Sequence, residues 1–244
     1  MRIAPKLSAA AVLVEIGGAT SAVPVRRSAR ARRLILRIDP ASGGAVVTVP
    51  AGVRMLEVER FVGRHAGWIA ARLSRVPPPA PFRDGAIIPL RGEPSRIVHR
   101  PGRGLIMADD SFGEMRIVVP GAAEHLVRRL GDWLKREARR DICEAVERHA
   151  GRLGRRPSAV RIGDPASRWG SCSSRGVLAF SWRLVLAPPV VLDYLAAHEL
   201  AHLAEMNHGP AFWRLVADLH PDHVPSRAWL RRNGPALHAV GRGG

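Results

Sequence analysis

The sequence predicts an α+β fold, a small β-rich N-terminal region followed by a core built around one apolar helix that ends in an HExxH run. Three observations predict it. The first half of the chain alternates short apolar stretches with Gly and Pro turns. From about Gly121 the apolar residues recur at helical spacing. Beyond them, His198-Glu199-Leu200-Ala201-His202 closes an almost wholly apolar run. A chain of 244 residues, 46% of them hydrophobic, has the material for a true core.

Residues 1–24 read as a loose N-terminal tail running into a strand. Within it, residues 7–14 follow Arg2 and Lys6 and mimic a targeting segment, but Glu15 and the glycines end the run without a small-x-small cleavage pattern. Residues 25–120 form the β-rich region. Leu34, Leu36 and Ile38 alternate along 33–39, and the turn at 40–44 leads into 45–49, which makes a hairpin. Val58, Phe61, Val62, Trp68 and Ile69 have helical spacing within 53–73, and the prolines at 77–81 end that helix. Short strands at 85–90, 95–99 and 114–119 follow, with turns at 91–93 and 101–104.

Residues 121–240 form the core. Leu126, Leu130, Trp133, Leu134, Ala138, Ile142, Ala145 and Val146 make one apolar stripe, with arginines opposite. A short strand near 159–162, a polar turn over 167–174 and a strand from 176 to about 186 lead to the helix that carries the HExxH run, which Pro188-Pro189 is suited to start. Two further helices close the chain.

On a helix, His198 and His202 lie one turn apart on one face and can share a metal ion, with Glu199 beside them as a general base. A third ligand on the same straight helix would lie too far along the axis, because positions 198 to 205 spread over roughly 10 Å at about 1.5 Å per residue. Asn207-His208-Gly209-Pro210 supplies a bend, so His208 is the expected third ligand. Glu205, one turn beyond His202, competes for that place or orients a ligand imidazole. Three neutral imidazoles suit one zinc ion and leave a coordination position open, which implies hydrolysis by activated water.

The wider sequence resembles a known family. Ser167-Arg168-Trp169-Gly170-Ser171-Cys172-Ser173-Ser174, Trp182-Arg183-Leu184, the His198 to His202 run, Asn207-His208-Gly209 and Phe212-Trp213 occur in that order. Together they look like the YgjP-like (DUF45) metallopeptidase family. That resemblance implies a zincin-like catalytic core with His198, His202 and His208 as metal ligands and Glu199 as catalytic glutamate. It also implies that a strand beside the metal helix, at 177–184, aligns an extended substrate by backbone pairing.

Arg168 is a candidate for stabilising negative charge on a reacting oxygen. The alternative makes residues 167–175 a polar turn with Trp169 merely packed. Tyr194, one turn before His198, either faces the metal or is an ordinary core residue.

The formal net charge of +17 rests on 38 basic residues, of which only Lys6 and Lys135 are lysine. Arginine favours phosphate, so nucleotide or nucleic acid is a possible partner beside a peptide or protein substrate. The other reading is a compositional surplus spread over a solvated surface. Basic residues cluster at 26–33 and along Arg128, Arg129, Lys135, Arg136, Arg139 and Arg140, without the aromatic interleaving of a single-strand platform. Two further functions therefore stand beside a zinc peptidase: a phosphoanhydride hydrolase with the same metal and base, and a nucleic-acid-associated protease or binding protein. Cys143 and Cys172 are too few for a disulfide scaffold and fit a cytoplasmic location, and no run reaches the length of about 18 apolar residues needed for a membrane span.

Overall fold

The computed structural model describes residues 10–39, 42–111, 113–165 and 168–242. The chain divides into two compact units that meet in sequence between Pro78 and Pro79.

The first unit holds β1 (Ala11–Ile16), β2 (Ala19–Ser28), β3 (Ile35–Ile38) and β4 (Ala45–Pro50) in one sheet of order β1-β2-β4-β3, followed by α1 (Met55–Arg64) and α2 (Ala66–Leu73). Strands β1 and β2 occupy much of the stretch expected to be a tail. Their hairpin turns on Gly17 and Gly18, at φ 61° and 85°, the left-handed pair that matches strand twist in a two-residue turn. Residues 7–9 of the targeting-like segment lie outside the described residues, as do residues 40 and 41 of the expected turn. The β3–β4 hairpin forms antiparallel as its alternation predicts. The expected single helix is interrupted at His65, whose ring Nδ1 lies 2.8 Å from the carbonyl of Phe61. Val23, Val47, Val49, Val58, Val62 and Ile69 form this unit's core.

In the second unit, β5 (Ile87–Leu90), β6 (Glu93–Arg100), β7 (Met107–Asp109) and β8 (Met115–Pro120) make a sheet of order β5-β6-β8-β7. The short β7 has no apolar alternation to announce it, since Met107 and Ala108 are exposed and Asp109 half-buried. Next comes α3 (Leu126–Leu153), which buries the whole predicted stripe and ends at Gly154 in the left-handed conformation. Arg91 clamps its outer face, donating to both oxygens of Asp141 at 2.8 and 3.0 Å and to Glu137 at 2.8 Å. The basic stripe is partly neutralised, with Arg128 and Lys135 near Asp132 and Arg140 on Glu137.

A second sheet of this unit contains β9 (Ala159–Gly163), β10 (Gly170–Cys172) and β11 (Val177–Ser181) in the order β10-β11-β9. The strand expected to run on to about 186 stops at Ser181, whose hydroxyl accepts from the Arg183 amide and turns the chain into a 3₁₀ segment over Trp182–Leu186. Buried Arg183 then donates to Asp164 and to the carbonyls of Leu237 and Val240.

The chain continues through α4 (Pro189–Ala201), α5 (Pro210–Leu219) and α6 (His223–Ala239). Helix α4 is packed against α3, α5, α6 and β10, which explains why its sequence is apolar on nearly every face. Among the described residues, no helix is long and apolar enough to cross a membrane. Cys143 and Cys172 are unpaired.

Candidate metal centre

Pro189 opens α4 at a position where its missing N–H costs nothing, and the last turn presents His198 and Glu199. His202 caps the helix. The chain then bends through Asn207 and Gly209 before Pro210 starts α5, which returns His208 to the face of His198 and His202. The ligand nitrogens of these three histidines all lie within 4.8 Å of one another, and the Nε2 atoms of His198 and His208 are 3.1 Å apart.

That spacing fits a divalent ion. Two metal–nitrogen bonds of about 2.0–2.1 Å at a tetrahedral angle hold their donor atoms about 3.3 Å apart. His202 is turned the right way, because its Nδ1 sits 3.0 Å from the Glu205 carbonyl oxygen and donates there, leaving Nε2 as a lone-pair donor. Glu205 thus meets the cluster through its backbone; its side chain is exposed and is not one of the converging ligands. Phe212 from α5 stacks on His202 at 4.5 Å and meets the other two rings edge-on at 4.9 and 4.6 Å, so one aromatic side chain fixes all three imidazoles.

The electrostatics favour neutral ligands. Burial, helped by neighbouring His202 and His208, lowers the pKa of His198 to about 3, and burial also lowers that of His202. At neutral pH both rings keep their lone pairs.

Glu199 is 5% exposed, and burial pushes its carboxyl up to about 7 against the opposing charge of Arg168. Such a group exchanges a proton readily near neutral pH. Its position depends on Gly170 in β10, where a side-chain Cβ would lie 2.5 Å from Glu199 Oε1. Sequence reasoning passed over Gly170, although its place in the Arg168-Trp169-Gly170 segment was the available signal.

The two halves of that segment do different things. Trp169 packs, its ring tilted against that of His238 with centroids 4.3 Å apart. Arg168 is exposed, with its charge felt at Glu199. Ser167 lies outside the described residues. Tyr194 is a core residue, 4% exposed, that nonetheless meets His198 edge-on at 5.8 Å.

The strand expected to align substrate does not have a free edge. β11 is the central strand, paired with β10 on one side and β9 on the other. The strand beside Glu199 is β10, which pairs only with β11 among the described residues.

A further network lies on α4, just over one turn before His198. Asp193 Oδ2 accepts from His149 and His220, each at 3.0 Å, and Oδ1 accepts from Arg148 at 2.9 Å. His149 and Asp193 are 44 positions apart, so sequence gave no signal for the contact.

No curated protein matches the chain. Among solved structures it is similar to the crystal structure of the metallopeptidase zymogen of Pyrococcus abyssi abylysin, at 21% identity and a TM-score of 0.33, over 37% of this chain and 93% of that one. The family model described as YgjP-like, metallopeptidase domain, matches residues 32–233. The chain belongs to the YgjP-like metallopeptidase family.

Proposed function

We propose that this member of the YgjP-like metallopeptidase family is a zinc-dependent peptidase, with His198, His202 and His208 holding one ion and Glu199 serving as general base. The observation that carries the reading is the convergence of three imidazole nitrogens within 4.8 Å beside a buried carboxyl. Zinc is favoured over harder cations because the donors are all imidazole. When bound, it supplies Lewis acidity that acidifies water and polarises a carbonyl.

The chain's own residues do the rest. Glu199 takes a proton from the attacking water on a carboxylate oxygen and delivers it to the departing amine nitrogen. Gly170 keeps that carboxylate in place, and Phe212 and the Glu205 carbonyl hold the ligand rings. Arg168 offers positive charge to the carbonyl oxygen as it becomes negative. The edge of β10 that has no strand partner among the described residues is where an extended peptide pairs with the backbone. The unpaired cysteines support a cytoplasmic location.

The test is a screen of zinc-loaded protein against unfolded proteins, peptides and nucleotides, with Glu199→Gln as the blank. Peptide-bond cleavage by the unsubstituted protein alone is expected. Cleavage confined to nucleotide phosphoanhydrides would overturn the peptidase reading.

A further inference from the structure

Beside the three histidines, α5 and α6 line an open groove of about 390 Å³ formed by Trp213, His223, Val224, Arg227, Ala228 and Arg231. That volume falls within the range of small-ligand sites, roughly 300–1,000 Å³. The lining residues of α6 recur at three- and four-residue intervals, so they form one continuous helix face. Trp213 is the wall shared with the centre, its ring centroid 5.8 Å from those of both His198 and His208.

The groove combines an apolar floor with concentrated positive charge. The Arg227 guanidinium sits 4.7 Å over the Trp213 ring, and His223 stacks on the same indole at 6.1 Å. The Nδ1 of His223 is buried with no hydrogen-bond partner. Among the described residues, neither Arg227 nor Arg231 has a carboxylate within ion-pair distance.

We propose that this groove is a substrate subsite for a carboxylate group, which Arg227 and Arg231 bind while Trp213 covers the adjoining aliphatic part. The proposal rests on the reading of the histidine centre as hydrolytic, and it makes the enzyme selective for peptides carrying negative charge on one side of the scissile bond. Arginine suits the role because its planar fork meets a carboxylate with two parallel hydrogen bonds, and stacking on the indole pre-orients it. Two sources present the same chemistry: an Asp or Glu side chain, and the C-terminal carboxylate of a peptide.

Binding is measured by calorimetry on the full-length, zinc-loaded Glu199→Gln protein, so that the outcome does not depend on turnover. Three hexapeptides of one parent sequence serve as probes: a neutral peptide with an amidated end, the same peptide with one Gln changed to Glu, and the neutral peptide with a free C-terminal carboxylate. At least one charged probe should bind about tenfold more tightly than the neutral one, equivalent to about 1.4 kcal/mol. Which charged probe gains identifies the source.

The Arg227→Gln/Arg231→Gln pair introduced into this protein should abolish the preference, and Arg227→Lys alone should keep part of it. Circular dichroism checks that these variants fold. Equal binding of all three probes, or a preference that survives loss of both arginines, overturns the proposal. Failure of the hydrolytic reading shows separately, as absence of any difference in peptide turnover between unsubstituted protein and Glu199→Gln.

Discussion

Gly170 lies so close to Glu199 that there is no room for a methyl group between them: a Cβ at position 170 would be 2.5 Å from Oε1 and 2.6 Å from Cγ of the glutamate. The backbone of β10 cannot easily yield, since it is paired to β11 with Gly170 opposite Phe180. Gly170→Ala should therefore displace the carboxyl and lower peptide hydrolysis by about 10²-fold, the scale of a misplacement near 1 Å. Zinc content, measured by atomic emission, should stay at the unsubstituted level. A variant with normal turnover would show that the position of the carboxyl does not matter.

His208 and Glu205 separate the candidates for third ligand. His208→Ala removes a converging nitrogen and should weaken zinc binding by more than about 100-fold, beyond the effect typical of an orienting group. Glu205→Ala leaves the backbone carbonyl that receives His202 in place, so its zinc affinity should change little. Competition with a chromogenic chelator measures both, and a larger loss in the Glu205 variant would reassign the ligand.

Asp193 makes stability depend on pH. Burial pushes its carboxyl up, but hydrogen bonds from His149, His220 and Arg148 outweigh it and hold the group well below the ordinary carboxylate range. The folded pKa is thus below the unfolded one, so the stabilisation is fully present above the unfolded pKa of about 4 and is lost as pH falls further. Asp193→Asn should be less stable than the unsubstituted protein at pH 6, and the gap should narrow below about pH 4. Urea unfolding across that range measures it, and a gap independent of pH would contradict the assignment.

Arg183 ties the 3₁₀ segment before α4 to the end of α6. Its side chain is 10% exposed and serves Asp164 together with the Leu237 and Val240 carbonyls. Arg183→Met keeps much of the volume but strands those acceptors, at a cost of about 3 kcal/mol. Chemical denaturation should show that loss, and a change under 0.5 kcal/mol, the usual bound for a surface substitution, would contradict it.

The legible parts of this molecule were those set by local pattern. The α3 stripe, the Pro-started metal helix and the bend that brings back His208 each depend on residues within a few turns of one another. The β1–β2 hairpin has local signals too, with Val12 and Ile16 before Gly17-Gly18 and Val23 and Val25 after them, but the sequence alone reads there as a loose tail running into a strand. The end of β11 was obscured because Ser181 stops the strand with a side-chain hydrogen bond while the sequence stays apolar. Gly170 against Glu199 and Asp193 between His149 and His220 join distant segments, and no spacing in the chain encodes them. Sheet order was equally hidden, so β11 passed for a substrate-aligning edge when it is the central strand.

The central claim is that Glu199 acts on water at an ion held by three histidines, and one paired measurement tests it most directly. Zinc content and peptide turnover are determined on the same preparations of unsubstituted and Glu199→Gln protein. The account predicts equal zinc in both and at least about a 10²-fold loss of turnover in the variant, the lower end for removing a general base. Full turnover in a zinc-replete Glu199→Gln protein would contradict it.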